Sequence, residues 1–323
     1  MAILNMEDRM TALEITKRAN NPDPYYIIEL MRETNEMLID APMYECNNGT
    51  INKALQRTIK KVGEHRIYNR GVGKVATQTQ QIEDRIAILG AYAEVDEDMV
   101  RHTGNIEQAR RSEYMAILKG LGLTQAETII FGSGSKEDEI AGLMERRNKI
   151  DNKLVFDAMG RSQDNDMTSI YLCAFGQEYF HMIYPKGSKS CGVERIDKGL
   201  VQVVDPKDSE KKYDVYQDKF RAEYGITIKV PESVIRIANV PKDMKGDELV
   251  DVIIEASYKI AKGASTYAMY SNDSILIKLD KASSNKGNVV HTQEDPWGKP
   301  ITHVRKFRCR NMDVITNAEG IVA

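Results

Sequence analysis

The chain has 323 residues, of which 41% are hydrophobic and 29% charged, and its formal net charge at pH 7 is −3. This length fits one large domain or two ordinary ones with a buried core, and the near-neutral charge argues against a protein that binds nucleic acid by bulk charge. Because no apolar run reaches about 18 residues and the N-terminus carries acidic residues, we expect neither a membrane span nor a secretory signal peptide.

The first part of the chain is predicted to be helical. Asp23 followed by Pro24 is typical of a helix start, since the aspartate can cap the helix and the proline suits its first turn. The helix should end before Pro42, because the residue before a proline disfavours the helical conformation. The apolar stripe of this helix consists of Ile27, Ile28, Met31 and Leu38.

Residues 51–80 form an unusual basic segment. Between residues 51 and 74 seven basic side chains face a single acid, Glu64. They are Lys53, Arg57, Lys60, Lys61, Arg66, Arg70 and Lys74. The segment could form a twisted two-stranded excursion, but it has too few apolar residues to pack as a domain by itself. Two interpretations stay open: a solvated surface loop, or an arm that becomes ordered against another surface.

The strongest helix signal follows the basic segment. Asp96, Glu97 and Asp98 would cap the helix and complement its dipole. The pair Lys119-Gly120 is typical of a helix end. The pattern therefore predicts one helix from Asp96 to Lys119, ~36 Å long at a rise of ~1.5 Å per residue, which Gly104 weakens slightly in its interior.

Beyond Gly132 the pattern is typical of strands. Strands are predicted at 168–175, 179–184 and 212–230, and from Val234 to Ile237. An amphipathic helix is predicted from Asp247 to Ala261. The remaining predicted elements are a loop at 285–287, a turn at 296–300 and a last strand from Ile301 to Cys309. This order of helices, basic segment, long helix and strands predicts an α+β fold.

The sequence contains no recognisable catalytic or ligand-binding constellation. The cysteines at 46, 173, 191 and 309 lack metal-ligand and disulfide-framework spacing, and the histidines show no HExxH pairing. The loop 132–136 lacks the P-loop spacing, and Cys191 lies outside any nucleophile-elbow motif. We therefore expect no catalytic residues, no metal, no cofactor and no enzymatic activity.

Several segments, in order along the chain, carry a family resemblance. The most specific are Thr168-Ser-Ile-Tyr171 and His181-Met-Ile-Tyr-Pro-Lys-Gly-Ser-Lys189. The others are residues 45–47, 90–96, 127–132, 234–239, 298–301 and 313–319. The ordered set resembles the major capsid proteins of short-tailed phages of the epsilon-fifteen and Bordetella-phage type.

The resemblance implies the Hong Kong 97 capsid fold. Its expected parts are an N-terminal arm (1–50), an extended loop (51–90), a peripheral domain with a spine helix and a long β-hairpin (91–150 and 178–232), and an axial domain (151–177 and 233–323). It also implies a major capsid protein of the virion that self-assembles, through hexamers and pentamers, into an icosahedral shell around double-stranded DNA. Assembly would take place in the bacterial host cytoplasm. The expected partners are scaffold and portal proteins, with decoration proteins as a further candidate.

The candidate contact residues between subunits follow from charge. If the extended loop crosses a neighbouring subunit, its basic side chains should meet acidic ones there. The candidates are Lys53, Arg57, Lys60, Lys61, Arg66, Arg70 and Lys74 on the loop, with Glu94, Asp96, Glu97 and Asp98 at the start of the long helix. Two alternatives remain: a cellular nanocompartment shell of the same fold, and a nucleic-acid-binding protein that uses residues 51–74 on phosphates.

Overall fold

The computed structural model of the protein describes residues 11–18, 22–57, 65–71, 79–161, 166–188, 190–205, 207–286, 290–291 and 303–322. The helices are α1 (Ala12–Arg18), α2 (Pro22–Met31), α3 (Met37–Asp40), α4 (Glu97–Thr103), α5 (Ile106–Phe131), α6 (Leu143–Arg146), α7 (Gly246–Lys259) and α8 (Asp273–Lys286). The strands are β1 (Met43–Glu45), β2 (Ile51–Arg57), β3 (Thr79–Arg85), β4 (Ala87–Asp96), β5 (Val155–Asp157), β6 (Thr168–Phe175), β7 (Phe180–Tyr184), β8 (Val193–Asp205), β9 (Asp208–Ile228), β10 (Val234–Val240), β11 (Thr266–Ser271), β12 (Val290–His291), β13 (His303–Val304) and β14 (Phe307–Asn311).

One half of the molecule is built around the long strand β9. Strand β4 pairs with it in antiparallel fashion from Ala87↔Tyr224 to Asp96↔Val215, and β8 pairs with it on the other side. Side chains alternate between the two faces of a strand, so Ala93 and Phe220 are buried while Tyr92 is exposed. The long helix α5 covers the buried face, where the rings of Tyr114 and Phe220 meet edge to face with their centroids 5.1 Å apart.

The other half is a mixed sheet with β6 at its centre. Strand β6 pairs in antiparallel fashion with both β10 and β11, and β11 in turn pairs in parallel with β14. Every residue of β6 is buried, because both faces of the sheet are covered. Ile170 and Leu172 pack with α7 and α8, whereas Tyr171 and Cys173 belong to the core formed with α2 and α3. The two cores therefore share this strand.

Several sequence predictions are confirmed. The α+β architecture is present, and β6 has the predicted bounds of 168–175. Strand β7 and the strand around Val234 form as predicted, and the predicted helix 247–261 is α7 with ends that differ by one or two residues. Residues 51–57 form one strand of an antiparallel pair, β2–β3, but the second strand, Thr79–Arg85, lies mostly beyond the segment 51–80 for which the sequence allowed a two-stranded excursion.

The prediction of one helix from Asp96 to Lys119 is wrong in its interior and at its C-terminal end. The helix α4 ends before Gly104, whose φ of 73° is left-handed, and Asn105 caps a new helix by accepting a hydrogen bond from the Gln108 N–H at 3.1 Å. Helix α5 then passes through Gly120 and ends only at Phe131. Burial of Leu121, Ala126, Ile129 and Ile130 outweighs the local glycine signal, as tertiary packing commonly does.

Three further predictions need correction. The N-terminal helix is interrupted, because α2 ends at Met31 and the buried Asn35 side chain accepts from the Met37 N–H before α3 begins. The predicted loop at 285–287 begins too early, because helix α8 extends to Lys286. Asn272 caps this helix by accepting from the Ile275 N–H at 3.2 Å. The last predicted strand is instead the hairpin β13–β14, which turns at Arg305 with a φ of 54°. The predicted turn at 296–300 lies outside the described residues.

Two glycines of α5 offer a matched test of how this helix packs. A methyl group on Gly122 would lie 2.5 Å from the Met31 carbonyl oxygen and would also collide with the Thr34 hydroxyl, whereas one on Gly120 meets nothing within 4 Å. We expect Gly122→Ala to lower the free energy of unfolding by ~1–3 kcal/mol through overpacking. Gly120→Ala should raise it by ~1 kcal/mol through helix propensity. Urea denaturation of the unassembled subunit measures both, and changes of the same sign would show that α5 is not fixed against α2 at Gly122.

Candidate inter-subunit surfaces

The β2–β3 hairpin is an arm fixed to the body at its root. Buried Asn52 donates to the Thr227 hydroxyl at 3.0 Å, and buried Asp84 forms an ion pair with Arg146 at 2.8 Å. The Arg85 guanidinium donates to the carbonyl oxygens of Gly134, Lys136 and Glu139. These anchors lie in the first two rows of the ladder, Ile51↔Arg85 and Asn52↔Asp84. Farther out, the side chain of Leu55 is 59% exposed.

The tip of the arm, residues 65–71, is exposed throughout. A turn places Asn69 at a φ of 65°, and the Arg70 N–H donates to the Ile67 carbonyl oxygen at 3.2 Å. The apolar side chains of Ile67 and Tyr68 are 69% and 94% exposed. Arg66 lies immediately before Ile67 in the sequence, and Arg70 lies two residues after Tyr68. The tip thus combines exposed apolar surface with positive charge.

The structure describes only part of the predicted basic set. Lys53 lies near the root of the arm and forms an ion pair with Glu83 at 3.0 Å. Arg66 and Arg70 are exposed at the tip. Lys60, Lys61 and Lys74 lie outside the described residues, as does the side chain of Arg57.

The predicted acidic residues cluster where β4 meets α4. Asp96 caps α4 by accepting from the Asp98 N–H at 2.8 Å. Glu97 pairs with Arg101 at 2.7 Å, and Asp98, whose side chain is 84% exposed, lies 3.8 Å from the same guanidinium. Glu94 accepts from the Gln217 side chain at 2.7 Å. Exposed pairs of this kind are weak, so these contacts leave the negative charge of the cluster accessible to a partner.

A second projection is the outer end of the β8–β9 hairpin, which lies where the resemblance implied a long β-hairpin but was not among the candidate contact residues. Strand β4 stops pairing at Val215, but β8 and β9 continue as a two-stranded ribbon to Asp205↔Asp208. Leu200 and Val204 on this ribbon are 50% and 49% exposed. Isolated two-stranded ribbons are marginal in water, so this surface is a second candidate for contact with another chain.

A buried carboxylate holds the long helix to the long hairpin. Asp218 on β9 is fully buried, and its oxygens accept from Arg110 at 2.7 Å, from Arg195 at 3.0 Å and from the Tyr114 hydroxyl. Arg110 also pairs with Asp197 at 2.7 Å. Burial, followed by the hydrogen bond to Asp218, raises the pKa of Tyr114 well above its usual value. The two arginines compensate the buried charge.

Two further ion pairs hold the mixed sheet to the N-terminal and C-terminal segments. Arg236, fully buried on β10, donates to Glu319 at 2.7 Å and to the Ser169 hydroxyl at 2.9 Å. On the same face of the sheet, Arg310 of β14 donates to both carboxylate oxygens of Asp40 at 2.6 and 2.9 Å. Burial of such charges is tolerated because each is paired and hydrogen-bonded.

In the part of the chain that the structure describes, the side chains that could bind a metal or act as nucleophiles are dispersed. Among the described residues, no group of three or more His, Cys, Asp or Glu side chains could hold a metal ion. Cys46, Cys173 and Cys191 are buried free thiols, and burial raises the pKa of Cys191 to about 12. No helix in the described part of the chain is long and apolar enough to cross a membrane.

The comparisons with known proteins agree with this geometry. The structure is similar to that of bacteriophage Epsilon15, with a TM-score of 0.66 and 22% identity over 88% of each chain. It is also similar to the bacteriophage JBD30 capsid, with a TM-score of 0.47 and 10% identity over 87% of this chain and 91% of that one. The holo-SrpI encapsulin complex of Synechococcus elongatus PCC 7942 gives a TM-score of 0.42 and 10% identity over 70% of this chain and 90% of that one. No curated protein matches the sequence.

The fold is therefore that of the Hong Kong 97 type of shell protein. Residues 20–323 match the family model of the major capsid protein GP7, and the chain belongs to that family. It is a shell-forming capsid protein of the virion with a structural, non-enzymatic role. The family match favours a phage shell over the nanocompartment alternative.

A cleft of about 620 Å³ lies between the root of the arm and the body and contains one buried histidine. Its walls include Leu55 of the arm and Tyr44, His181 and Lys229 of the body. His181 is only 3% exposed, and the Tyr44 ring meets it edge-on at 5.0 Å. Burial, followed by the nearby charge of Lys229, lowers the pKa of His181 to about 4.

This histidine should make the unassembled subunit less stable in acid. Between pH 6.5 and about 4 the unfolded chain binds a proton at His181 that the folded chain does not, so stability falls as pH decreases through that window. The loss is at most ~3 kcal/mol, from ~1.4 kcal/mol per pKa unit. The difference in thermal midpoint between the natural chain and His181→Gln should therefore shift in favour of the variant from pH 7 towards pH 4. Parallel curves for the two proteins would contradict the assignment.

Proposed function

We propose that this chain forms an icosahedral shell of hexamers and pentamers around a double-stranded DNA genome, and that the shell assembles in the cytoplasm of the bacterial host. Scaffold and portal proteins, and in some shells decoration proteins, are the expected partners. Family membership supports this proposal, since the family is that of a major capsid protein. The observation that carries it is an arm fixed only at its root, among the described residues, with an exposed apolar and basic tip.

We also propose the division into an N-terminal arm (1–50), an extended loop (51–90), a peripheral domain (91–150 and 178–232) and an axial domain (151–177 and 233–323). The strand pairing supports it. Strands β6 and β7 are joined by the single pair Phe175↔Phe180. β7, β8 and β9 lie on one side of that junction, and the sheet around β6 lies on the other.

Within this assembly, the arm of one subunit would cross a neighbour and bring its basic residues to the acidic cluster there. Lys53 and Glu97 are engaged in ion pairs within their own chain. Arg66, Arg70 and Asp98 are more exposed, so they are the better candidates for contacts between subunits. Each exposed pair contributes only ~0.2–1 kcal/mol, but the same contact would recur at every subunit of a closed shell.

The proposal of a closed shell is tested by electron microscopy of the purified, concentrated protein. We expect rings and closed particles, formed alone or on co-expression with the neighbouring phage genes. A chain that stays strictly monomeric in both conditions would exclude the proposed function.

Charge reversal on the arm tests the inter-subunit contact. We expect the triple variant Lys60→Glu, Lys61→Glu and Arg66→Glu to keep its thermal midpoint, because exposed charges far from the core rarely affect folding. Its assembly should fail, or need high salt to screen the new repulsion. The measurement is the amount of sedimenting particles as a function of salt concentration.

A matched control carries the same charge change elsewhere. Lys242, Lys262 and Lys281 are exposed on the mixed-sheet half of the molecule, and reversing all three should leave assembly closer to that of the natural chain. If the arm variant assembles normally but packages DNA poorly, the arm faces the genome and the inter-subunit contact is wrong.

A further inference from the structure

We propose that Ile67 and Tyr68 at the tip of the arm are the apolar anchor of the inter-subunit contact, and that they bind beside Tyr92 and Met99 in the acidic cluster of a second copy of this chain. This inference rests on the proposed function and deepens it. Burial of apolar surface at the tip would supply most of the binding free energy. The surrounding charges would guide the encounter and align the two surfaces.

The tip has the composition of a binding hot spot. Single exposed hydrophobic residues are common on protein surfaces, but Ile67 and Tyr68 are adjacent, occupy a turn and are 69% and 94% exposed. They lie on a segment that is otherwise rich in charge, between Arg66 and Arg70. Tyrosine and arginine are the residue types enriched in interface hot spots, where a buried anchor is surrounded by a polar rim.

The acidic cluster has the complementary composition. Tyr92 is 54% exposed and Met99 is 67% exposed, so two large apolar side chains lie next to the carboxylates. Tyr92, Glu94 and Asp96 alternate along β4 with buried residues and therefore share its outer face. Asp98 and Met99 follow in the first turn of α4. The Lys219 ammonium lies 5.5 Å from the centre of the Tyr92 ring, and Arg101 pairs with Glu97. The four carboxylates outnumber these two cations, so the surface around Tyr92 and Met99 is opposite in charge to the basic tip.

Strand connectivity attaches the two surfaces to opposite ends of β4 within one chain, which favours a contact between copies. The arm joins β4 at Ile86, at the opposite end of that strand from Asp96. The ten residues of β4 span ~30 Å at ~3.4 Å per residue. The root of the arm is held at this far end by Asn52 and Asp84. The tip of one copy would therefore contact the cluster of the next, a head-to-tail interface of the kind that closes into rings.

The two components of the contact should respond differently to salt. Attraction between exposed charges is screened as ionic strength increases, whereas burial of Ile67 and Tyr68 is not. Variants that remove the apolar anchor should impair assembly at every salt concentration. Variants that alter Arg66 and Arg70 should lose most of their effect at high salt.

The first experiment compares two pairs of substitutions of the same types. Ile67→Ser with Tyr68→Ser removes the anchor, and Ile277→Ser with Tyr258→Ser removes apolar residues that are 51% and 67% exposed on the helices of the mixed-sheet half. We expect the critical concentration for assembly to rise at least about tenfold for the tip pair, equivalent to ~1.4 kcal/mol per contact. For the control pair, the critical concentration should stay within about twofold of that of the natural chain. Both comparisons are made between about 0.05 and about 0.5 M salt. Thermal midpoints of the unassembled subunits show that both variants fold.

The second experiment tests the identity of the partner surface. Arg66→Glu with Arg70→Glu, and Glu94→Lys with Asp98→Lys, should each block assembly at low salt. The chain that carries all four substitutions should recover it, because opposite charges meet again in every copy. A cysteine pair, Tyr68→Cys with Met99→Cys, should give a ladder of disulfide-linked multimers on oxidation. Tyr68→Cys with Tyr258→Cys should not.

The outcomes separate the two proposals. A natural chain that remains monomeric overturns both of them. If the natural chain forms shells but the tip pair assembles like it, or the control pair is equally impaired, the anchor is wrong and the shell stands. Absence of recovery in the fourfold variant overturns the assignment of Tyr92 and Met99 as the partner surface. The same holds if the cysteines introduced in place of Tyr68 and Met99 form a disulfide only within one chain.

Discussion

The fold depends on the buried carboxylate of Asp218, which fixes the long helix α5 to the long hairpin β8–β9. Its partners Arg110 and Arg195 come from the helix and from the neighbouring strand, so a single buried charge joins three elements. Removing one member of such a network leaves the remaining charges buried without compensation, which typically costs ~3–5 kcal/mol. Strand β9 also pairs with β4, which leads to the arm, and with β8, which leads to the exposed ribbon. The directions of both projections therefore follow from this junction.

Contacts inside the subunit and on its projections differ in kind. Inside, Arg236 with Glu319 and Arg310 with Asp40 are buried, hydrogen-bonded pairs that hold the N-terminal and C-terminal segments to the mixed sheet. On the arm, the ion pair of Lys53 with Glu83 is exposed, and such pairs contribute little. A rigid body with weakly held, exposed projections suits reversible assembly, because an individual contact can break and reform while the subunit stays folded.

The sequence predicted elements whose signal is local. The basic segment was visible from its charge, although charge alone left a solvated loop and an ordered arm open. The strand β6 was predicted as a short β run that ends before Gly176. The end of α5 could not be predicted from Gly120, because the helix continues on tertiary contacts such as the close approach of Gly122 to Met31. The junction at Asp218 was equally inaccessible, since Arg110 lies 108 positions away in sequence. The sequence shows that the arm contains the apolar residues Ile67 and Tyr68, but only the structure shows that both are exposed.

A shell that contains both pentamers and hexamers needs one contact that tolerates two angles between neighbours. A body joined through buried ion pairs cannot supply that tolerance, since displacement would break several hydrogen bonds together. An arm can supply it, because the hydrogen bonds and ion pair that hold the arm to the body lie in the first three rows of a ladder of seven pairs. The rows beyond the third extend the ladder by ~14 Å at ~3.4 Å per row, so a rotation of about 10° about the third row moves its outer end by about 2.4 Å. An apolar anchor at the tip, whose attraction is not directional, would keep binding over such a displacement more readily than an aligned ion pair.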